Sequence, residues 1–588
     1  MKSVKSKIIS ALIAIVLIII VGIIAFGGRI KKSLENGETI NGRWFLALIY
    51  PDKYAYSTEK ADYNEYFGNF SADDVAIVLQ DEIIEDKARV INGVTYFSLD
   101  TVSNLLTDRF YYNQAEKVLL YTTSTDIIKV NIDEESGYYV SGEAVSTDYD
   151  PAYIEGDTLY VAADYVRSYA NFQYETFADP GRVQLYTSWG EVRVATVAKN
   201  TKVRVKGGIK SSILTSVSKD DEVIVLEQME KWTKIKSGDC FIGYVEKDCL
   251  NEESVKTLQP VNDAYSPEAD YGTNTNPEKV VLAWHQLYYA DDGAGLNELT
   301  ENATNLNVVS PTWYYINSAE GTFDDYSSAA YVENAHEHGY KVWALVEDMT
   351  NDFDEEALFL NSANRKAFID NLIASVTAAG ADGINIDCER IGNVTGPHYV
   401  QFLRELAIET RKHGLTLSVD NYQQNEGNLY YNLKEQGLVA DYVIIMGYDE
   451  HWSGCSEAGS VASIGFVENG VTGALNAGVP KEKLINGVPF YTRLWKTEGV
   501  NVTSQALGMS EAQAWLDEHA ITPLWDEETC QYTASREDGT ALYEIWLEEP
   551  KSLEAKMSVM QKYDIAGVAC WKLGFEYPEI WQSIALYY

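Results

Sequence analysis

The C-terminal part of the chain alternates short apolar runs with amphipathic stretches, and this alternation constrains the fold more than any other feature. Amphipathic segments such as 364–379 and 396–413 separate eight apolar runs. The runs are 280–284, 307–313, 341–346, 383–388, 415–419, 442–446, 484–488 and 567–570. Parallel strands joined by helices are buried on both faces, so this pattern predicts a (β/α)8 TIM barrel over residues 278–588.

The fourth run places three polar side chains on one face of a strand. Its sequence is Asp382-Gly-Ile-Asn-Ile-Asp-Cys-Glu389. Because side chains alternate along a strand, Asn385, Asp387 and Glu389 share a face that must point into the barrel. Active sites of such barrels lie at the C-terminal strand ends, so Glu389 is expected at the mouth and Asp387 about 6–7 Å deeper. Two carboxylates stacked in this way can divide into a protonated acid and an ionised partner.

This string resembles the D-G-x-D-x-D-x-E signature of glycoside hydrolase family 18, with Asn385 in place of the middle aspartate. The ending Trp571-Lys-Leu-Gly574 is most similar to the spore-cortex and cell-wall branch of that family. The resemblance covers residues 278–588. Its other marks are Ser310-Pro-Thr-Trp313, Met446-Gly-Tyr-Asp449, Gly487-Val-Pro-Phe-Tyr491 and Trp571.

The resemblance implies a retaining, substrate-assisted glycosidase that cuts β-1,4 bonds next to N-acetylglucosamine. Glu389 would be the general acid and base, Asp387 would accept the acetamido N–H, and Tyr448 would position the acetamido carbonyl. The residues expected to bind the sugar are Asp382, Asn385, Asp449, Trp571, Tyr491 and Trp313. No cofactor or metal is implied.

The resemblance leaves the substrate open between peptidoglycan and a chitin-like glycan, and the cleavage mode open between endo and exo. The alternative function is that of a chitinase-like lectin, which binds the glycan without cleaving it. The presence of Glu389 argues against this alternative, because lectin-like members of the family have lost that residue.

Asn385 is the one departure from the signature. Because asparagine cannot ionise, its amide is expected to donate to Asp387 and to keep that carboxylate charged. Asn385 should therefore be compatible with catalysis.

The charge of the chain excludes one class of partner. With 46 basic and 88 acidic residues, the net charge is −42, so nucleic acids and anionic lipid surfaces should be repelled. The six cysteines include no C-x-x-C pair, which excludes zinc ribbons and thioredoxin-like sites, while Cys240 and Cys249 are close enough in sequence to form a disulfide.

The N-terminal sequence predicts where in the cell the protein is located. Residues Ile8 to Phe26 are apolar apart from Ser10, follow several lysines, and lead into no small-residue cleavage site. A run of this length spans a bilayer core. Residues 1–32 are therefore predicted to be an uncleaved single-pass membrane anchor with the catalytic domain outside the cytoplasm; the alternative is a cleaved signal and secretion.

Two small domains are predicted before the barrel. Residues 33–190 contain two copies of a hairpin followed by a helix start, 88–102 and 152–166, and this α+β repeat resembles the N-terminal domain named after copper amine oxidases, without copper ligands. Residues 191–252 hold short alternating strands and resemble a bacterial SH3-like barrel, which implies either binding of wall peptide or a spacer. The polar residues 253–277 are predicted to be a linker.

Overall fold

The structure, a computed structural model, describes residues 2–35, 40–68, 74–134, 136–266, 271–276 and 278–587. The chain divides into two compact units. One comprises Met1–Phe110 and Val130–Pro267, and the other comprises Tyr111–Lys129 and Glu268–Tyr588. The two small predicted domains thus belong to one unit, and a short piece of the predicted repeat domain belongs to the unit of the barrel.

The first unit begins with helix α1 (Lys2–Glu35), which contains the predicted anchor. Within the described part of the chain, no single helix has the length and apolar character of a membrane span. The segments Ile13–Gly22 and Phe26–Leu34 meet those criteria only as a pair, with a bend of 55° between them. The transmembrane helix therefore stays a prediction. Three short helices follow: α2 (Gly42–Ile49), α3 (Pro51–Tyr54) and α4 (Tyr63–Phe67).

The predicted repeat is confirmed as two hairpins, each followed by a short helix. Asn92 and Gly93 join the first hairpin with φ values of +52° and +85°, the left-handed conformation that a two-residue turn requires. The elements of this region are β1 (Val75–Leu79), β2 (Glu82–Ile91), β3 (Val94–Ser98), α5 (Leu99–Leu105), β4 (Tyr111–Asn113), β5 (Val118–Thr122), β6 (Ile127–Asn131), β7 (Gly137–Val140), β8 (Glu143–Ser146), β9 (Ala152–Glu155), β10 (Thr158–Ala162), α6 (Ala163–Val166), β11 (Gln173–Phe177) and β12 (Arg182–Tyr186). Within the first unit, β11-β12-β1-β2-β3-β10-β9 form one sheet.

The predicted block of short strands also folds as one sheet, with strand order β15-β14-β18-β17-β16-β13-β19. Its strands are β13 (Glu191–Thr196), β14 (Thr201–Arg204), β15 (Ile213–Val217), β16 (Glu222–Gln228), β17 (Trp232–Lys236), β18 (Ile242–Glu246) and β19 (Ser254–Thr257). Strand β19 pairs with β13, so the predicted linker begins inside the sheet. Cys240 and Cys249 are both buried free thiols, so the structure contains no disulfide between them.

The predicted barrel is confirmed in the second unit. Its parallel strands are β20 (Val280–His285), β21 (Val308–Ile316), β23 (Lys341–Glu347), β24 (Gly383–Asp387), β25 (Thr416–Asn421), β26 (Tyr442–Ile445), β27 (Leu484–Pro489) and β33 (Gly567–Trp571); β22 (Phe323–Asp325) is antiparallel to β21. Pairing of β20 with both β21 and β33 closes the barrel. The helices are α7 (Leu296–Leu299), α8 (Ala329–Glu337), α9 (Glu355–Leu360), α10 (Ser362–Ala379), α11 (Gly396–His413), α12 (Leu433–Val439), α13 (Ile464–Ala477), α14 (Met509–Glu518), α15 (Pro550–Tyr563) and α16 (Ile580–Ala585).

Alternation along the barrel strands produces two apolar layers. Leu282, Trp343 and Ile444 belong to the cluster inside the barrel. Val281 and Val342 belong to the larger cluster that includes the buried faces of the helices. This period of two is what places the polar face of β24 inside the barrel.

An antiparallel sheet is inserted between β27 and α15, where the sequence pattern did not predict it. Its strands are β28 (Tyr491–Glu498), β29 (Asn501–Gly508), β30 (Leu524–Asp526), β31 (Gln531–Asp538) and β32 (Ala541–Leu547). It begins two residues after the seventh barrel strand ends, so it extends the C-terminal end of the barrel.

The hairpin of β4 and β5 belongs to the barrel unit. The Asn113 side-chain amide donates to the carbonyl of Leu360 at 2.7 Å, and the Gln401 amide donates to the Thr122 hydroxyl at 2.9 Å. Asn113 and Gln401 are fully buried, and their amides find these partners within the barrel unit. The predicted boundary of the repeat domain at 33–190 is therefore wrong for this hairpin.

Candidate active site

The string 382–389 forms β24 and the residues that flank it. Ile384 and Ile386 pack in the outer apolar layer, whereas Asn385 and Asp387 point into the barrel, as the alternation predicts. Gly383 opens the strand where a Cβ would lie 2.6 Å from the Thr416 carbonyl oxygen, so no larger residue fits without a shift.

Asp387 is a deeply buried carboxylate that forms no ion pair with any described residue. Its side chain is 7% exposed, and its Oδ1 atom has no hydrogen-bond partner among the described residues. Burial raises the pKa of Asp387 well above its ordinary value, and the nearby Glu389 and Asp420 raise it further. A buried acceptor left without a donor is costly, and here it faces the end of the barrel at which ligands bind.

Glu389 lies at the mouth, directly after the strand. Burial raises its pKa, and the negative charges of Asp449 and Glu347 act in the same direction. The hydroxyl of Tyr422 donates to the Glu389 carboxylate and opposes this rise. A raised pKa keeps a carboxylic acid protonated closer to neutral pH, which is what a proton donor requires.

The Asn385 amide does not donate to Asp387, and that expectation is wrong. Its Nδ2 donates to Asp420 on the neighbouring β25 at 2.8 Å. Its Oδ1 accepts from Trp284 Nε1 at 2.9 Å and from the Ser310 hydroxyl at 3.1 Å. The amide is thus engaged on both atoms, and the Oδ1 atom of Asp387 keeps its free acceptor.

Aromatic side chains form the wall beside the carboxylates. The ring of Trp284 lies 6.4 Å from that of Tyr448 and 5.8 Å from that of Trp571. Both partly buried rings pack against the apolar interior of the barrel. On the other side of Tyr448, the Tyr491 hydroxyl donates to Asp449 at 2.6 Å. The structure therefore brings Tyr448, Asp449, Tyr491 and Trp571 together.

Comparison with protein families agrees with this arrangement. Residues 326–576 match the model for glycosyl hydrolases family 18, a stretch that contains β24 and its carboxylates. The C-terminal barrel is a family 18 glycosyl hydrolase domain. It therefore belongs to a family of glycosidases.

Curated relatives of the family 18 domain include glycosylases and cortical fragment-lytic enzymes of Bacillus species. The chain is 26% identical over 313 residues to the uncharacterized glycosylase YvbX of Bacillus subtilis, covering 50% of this chain and 89% of the relative. It is 26% identical over 282 residues to the cortical fragment-lytic enzyme of Bacillus anthracis, covering 45% of this chain and 64% of that enzyme, which is just under two thirds of its length. Among solved structures, the spore cortex-lytic enzyme SleL of Bacillus cereus aligns with 21% identity and a TM-score of 0.48, covering 57% of this chain and 79% of SleL.

Two residues predicted to bind substrate lie elsewhere in the family 18 domain. Asp382 precedes β24 at the N-terminal end of the barrel, about 20 Å along the strand from Glu389. There it accepts from the main-chain N–H of Val342 at 2.8 Å and contacts His336 at 2.8 Å. It anchors the start of the strand.

Trp313 is the second correction. Its ring is 0% exposed and lies in the outer layer, 5.4 Å from the ring of Tyr331 on α8. The Ser310 hydroxyl faces the barrel interior, so a residue three positions later on the strand faces the helices.

Several polar residues of the site were not predicted from sequence. They are Trp284, Ser310, Glu347, Asp348, Asp420 and Tyr422, and each follows or ends a barrel strand or points into the barrel. The available signal was the alternation of side chains: Ser418, Asp420 and Tyr422 alternate along and just beyond β25 as Asn385, Asp387 and Glu389 do along and just beyond β24.

The carboxylates of the site form no metal cluster. Among the described residues, ligand atoms of three His, Cys, Asp or Glu side chains come within 4.8 Å of one another only at Glu246, Asp248 and Cys249 in the first unit. Glu246 there forms an ion pair with Arg43 at 2.7 Å. This cluster does not lie in the family 18 domain.

Proposed function

We propose that the family 18 domain hydrolyses β-1,4 glycosidic bonds next to N-acetylglucosamine, with retention of configuration and with the substrate's own acetamido group as nucleophile. The observation that carries this proposal is the buried, unpartnered Oδ1 of Asp387 next to the protonatable Glu389. An acetamido N–H is a donor of the kind that this acceptor lacks.

In the first step, the acetamido oxygen attacks the anomeric carbon as the bond to the leaving oxygen breaks. Glu389 gives its proton to the leaving oxygen, and the sugar becomes a cationic oxazolinium. In the second step, water attacks the same carbon and returns a proton to Glu389. Two displacements at one carbon retain the configuration.

Binding of the substrate would determine which of the two carboxylates, Asp387 or Glu389, holds the proton. An N–H donated to Asp387 Oδ1 favours the ionised form of Asp387, and a charged Asp387 then stabilises the oxazolinium. The negative charge on Asp387 in turn favours protonated Glu389. The pair thus reaches the charge state that the reaction needs when the acetamido group is bound.

The aromatic wall would hold the sugar. Trp571 offers a partly exposed ring on which a pyranose can stack, and the hydroxyl of Tyr448 would donate to the acetamido carbonyl. Asp449, held by Tyr491, would accept from a sugar hydroxyl.

We propose peptidoglycan as the substrate class, with chitin as the alternative. The curated Bacillus anthracis relative is named for lysis of cortical fragments, and the sequence ending is similar to that branch of the family. The apolar N-terminal segment is proposed to anchor the chain in the cell membrane with this domain outside the cytoplasm.

Digestion of purified peptidoglycan and of N-acetylglucosamine oligomers tests this function, with products identified by mass. We expect reducing ends at N-acetylglucosamine and no turnover of matched oligomers without the acetyl group, because the nucleophile is then missing. Equal rates on acetylated and de-acetylated oligomers would exclude substrate assistance. Binding without turnover of any acetylated glycan would establish the lectin function instead.

A further inference from the structure

The main-chain pairing of β23 with β24 ends just before the general acid. The last paired residues are Glu347 and Asp387. Beyond them, the carboxylate of Asp348 takes the place of the missing carbonyls: it accepts from the N–H of Glu389 at 2.9 Å and from the N–H of Arg390 at 3.1 Å. A side chain thus continues the ladder that positions the catalytic strand.

Arg390, in the turn after β24, makes further bonds to the loop after β23. Its guanidinium donates to the carbonyl of Asp348 at 3.3 Å and to the carbonyl of Asn351 at 2.8 Å, and it pairs with Glu355 at 2.7 Å. The turn after β24 is therefore cross-linked to the loop after β23 at several points. The main chain of Glu389 can depart little from its place without breaking these bonds.

A carboxylate at position 348 is energetically costly because the site is buried. It is 0% exposed, and burial raises its pKa to about 7, with Glu355 and Glu389 adding to the rise and the two N–H groups opposing it. A buried carboxylate without a cation is costly unless its hydrogen bonds compensate.

We propose that Asp348 is a positioning residue for catalysis, which holds the main chain of Glu389 so that the acid faces the scissile bond. This inference rests on the proposed hydrolase function. Asp348 itself touches no substrate; it acts through Glu389. Its effect should fall on turnover, since a small misplacement of a catalytic group can cost about 10²-fold in rate.

The chain offers a matched control at the other end of the barrel. Asp441 is also a buried carboxylate, 4% exposed, with a pKa raised by burial. It also accepts two main-chain N–H groups, from Asn274 at 2.7 Å and from Leu417 at 2.8 Å. Truncating either aspartate leaves two donors unpaired, but only Asp348 adjoins Glu389.

The experiment measures kcat and KM of the full-length wild type, Asp348→Ala, Asp348→Asn and Asp441→Ala on one acetylated oligomer, per mole of folded protein. We expect Asp348→Ala to lower kcat about 10²-fold with KM within threefold. Asp348→Asn, which keeps one acceptor and most of the shape, should lose less. Asp441→Ala should keep kcat within threefold while its thermal midpoint falls.

Two outcomes would overturn the assignment. One is kcat of both Asp348 variants within threefold of wild type; the other is an equal loss in Asp441→Ala, which would mean a general effect of destabilisation. If Asp348→Ala does not fold, the kcat of Asp348→Asn relative to that of wild type decides, and a value within threefold of wild type overturns the assignment. A wild type without turnover on any acetylated glycan would instead defeat the proposed function, and this assignment with it.

Discussion

The two ends of the barrel differ in whether an aspartate oxygen is left without a hydrogen-bond partner among the described residues. At the N-terminal end, Asp441 accepts two main-chain N–H groups, and Asp382 bonds to a main-chain N–H and to His336. At the C-terminal end, Asp387 keeps an unpartnered oxygen. The four carboxylates gathered there form no ion pair with a lysine or arginine among the described residues; they are Asp348, Asp387, Glu389 and Asp420.

Elsewhere in the same domain, the chain pairs buried charges fully. Glu548, 0% exposed, meets the Lys556 ammonium at 2.9 Å and also accepts from Ser552 and Gln531. Arg365 and Glu405 form a similar buried pair. The unpartnered oxygen of Asp387 therefore stands out, and it lies at the end where a bound ligand can supply the missing donor. Carboxylates in this state are typical of catalytic sites.

The largest expected effect is at Glu389. Glu389→Gln keeps the size of the side chain but removes the transferable proton, so we expect kcat to fall by about 10²–10⁴-fold. Binding of an acetylated oligomer should persist and can be measured by calorimetry. Activity within threefold of wild type would show that another group is the acid.

Asp387→Asn tests the difference between the two ends of the barrel, because it should lower activity and raise stability at the same time. The amide cannot stabilise a cationic intermediate, so kcat should fall about 10²-fold or more. Because burial disfavours the ionised carboxylate and the amide cannot ionise, the variant should unfold at higher temperature than wild type at pH 8.

The control for Asp387→Asn is Asp441→Ala, which should lose about 1–3 kcal/mol of unfolding free energy by orphaning two N–H groups. Destabilisation of both variants at pH 8 would contradict the contrast between the two ends.

The pH dependence of stability follows from the raised pKa values at the mouth. The folded state binds protons on Asp348, Asp387, Asp420 and Glu389 that the unfolded state has released. Their contribution to stability is present below about pH 4 and is lost as pH rises, through about pH 7 for Asp348. We expect the free energy of unfolding to fall by up to about 1.4 kcal/mol per pH unit for each such group.

Chemical denaturation of wild type and Asp387→Asn from pH 4 to pH 8 measures this slope. The variant should show a shallower decline, because it lacks one of the titrating groups. Identical slopes would mean that the general repulsion of an acidic chain, and not the mouth, causes the decline.

Asn385→Asp should have the smallest effect. The new carboxylate would meet Asp420, at the 2.8 Å contact where the amide now donates, so the pair would share a proton. We expect the acid limb of the pH–rate profile to move while the maximal rate changes by only a few fold. An inactive wild type that gains turnover through Asn385→Asp would mean that the natural asparagine disables the site.

The local sequence pattern was enough to predict the barrel and the face of β24 that points into it. Apolar runs of strand length recur at the spacing of strand–helix units, and parity along β24 assigns Asp387 and Glu389 to the interior. The inserted sheet of β28–β32 was missed because short alternating strands between two barrel strands lack the helical spacing that marks a new unit. The hairpin of β4 and β5 was assigned by sequence adjacency, whereas its Asn113 and Thr122 side chains hydrogen-bond with the barrel unit.

Alternation along the backbone was enough to place Asn385 and Asp387 of β24, and Glu389 just after it, on the barrel side, because backbone geometry dictates which neighbours share a face. Which groups meet them was decided only by tertiary structure. Asp420 reaches Asn385 from the next strand, and Asp348 reaches the N–H of Glu389 from the preceding strand. Hydrogen bonds between residues about 35–40 positions apart depend on strand register and on where each ladder ends, and a single sequence carries no direct record of either.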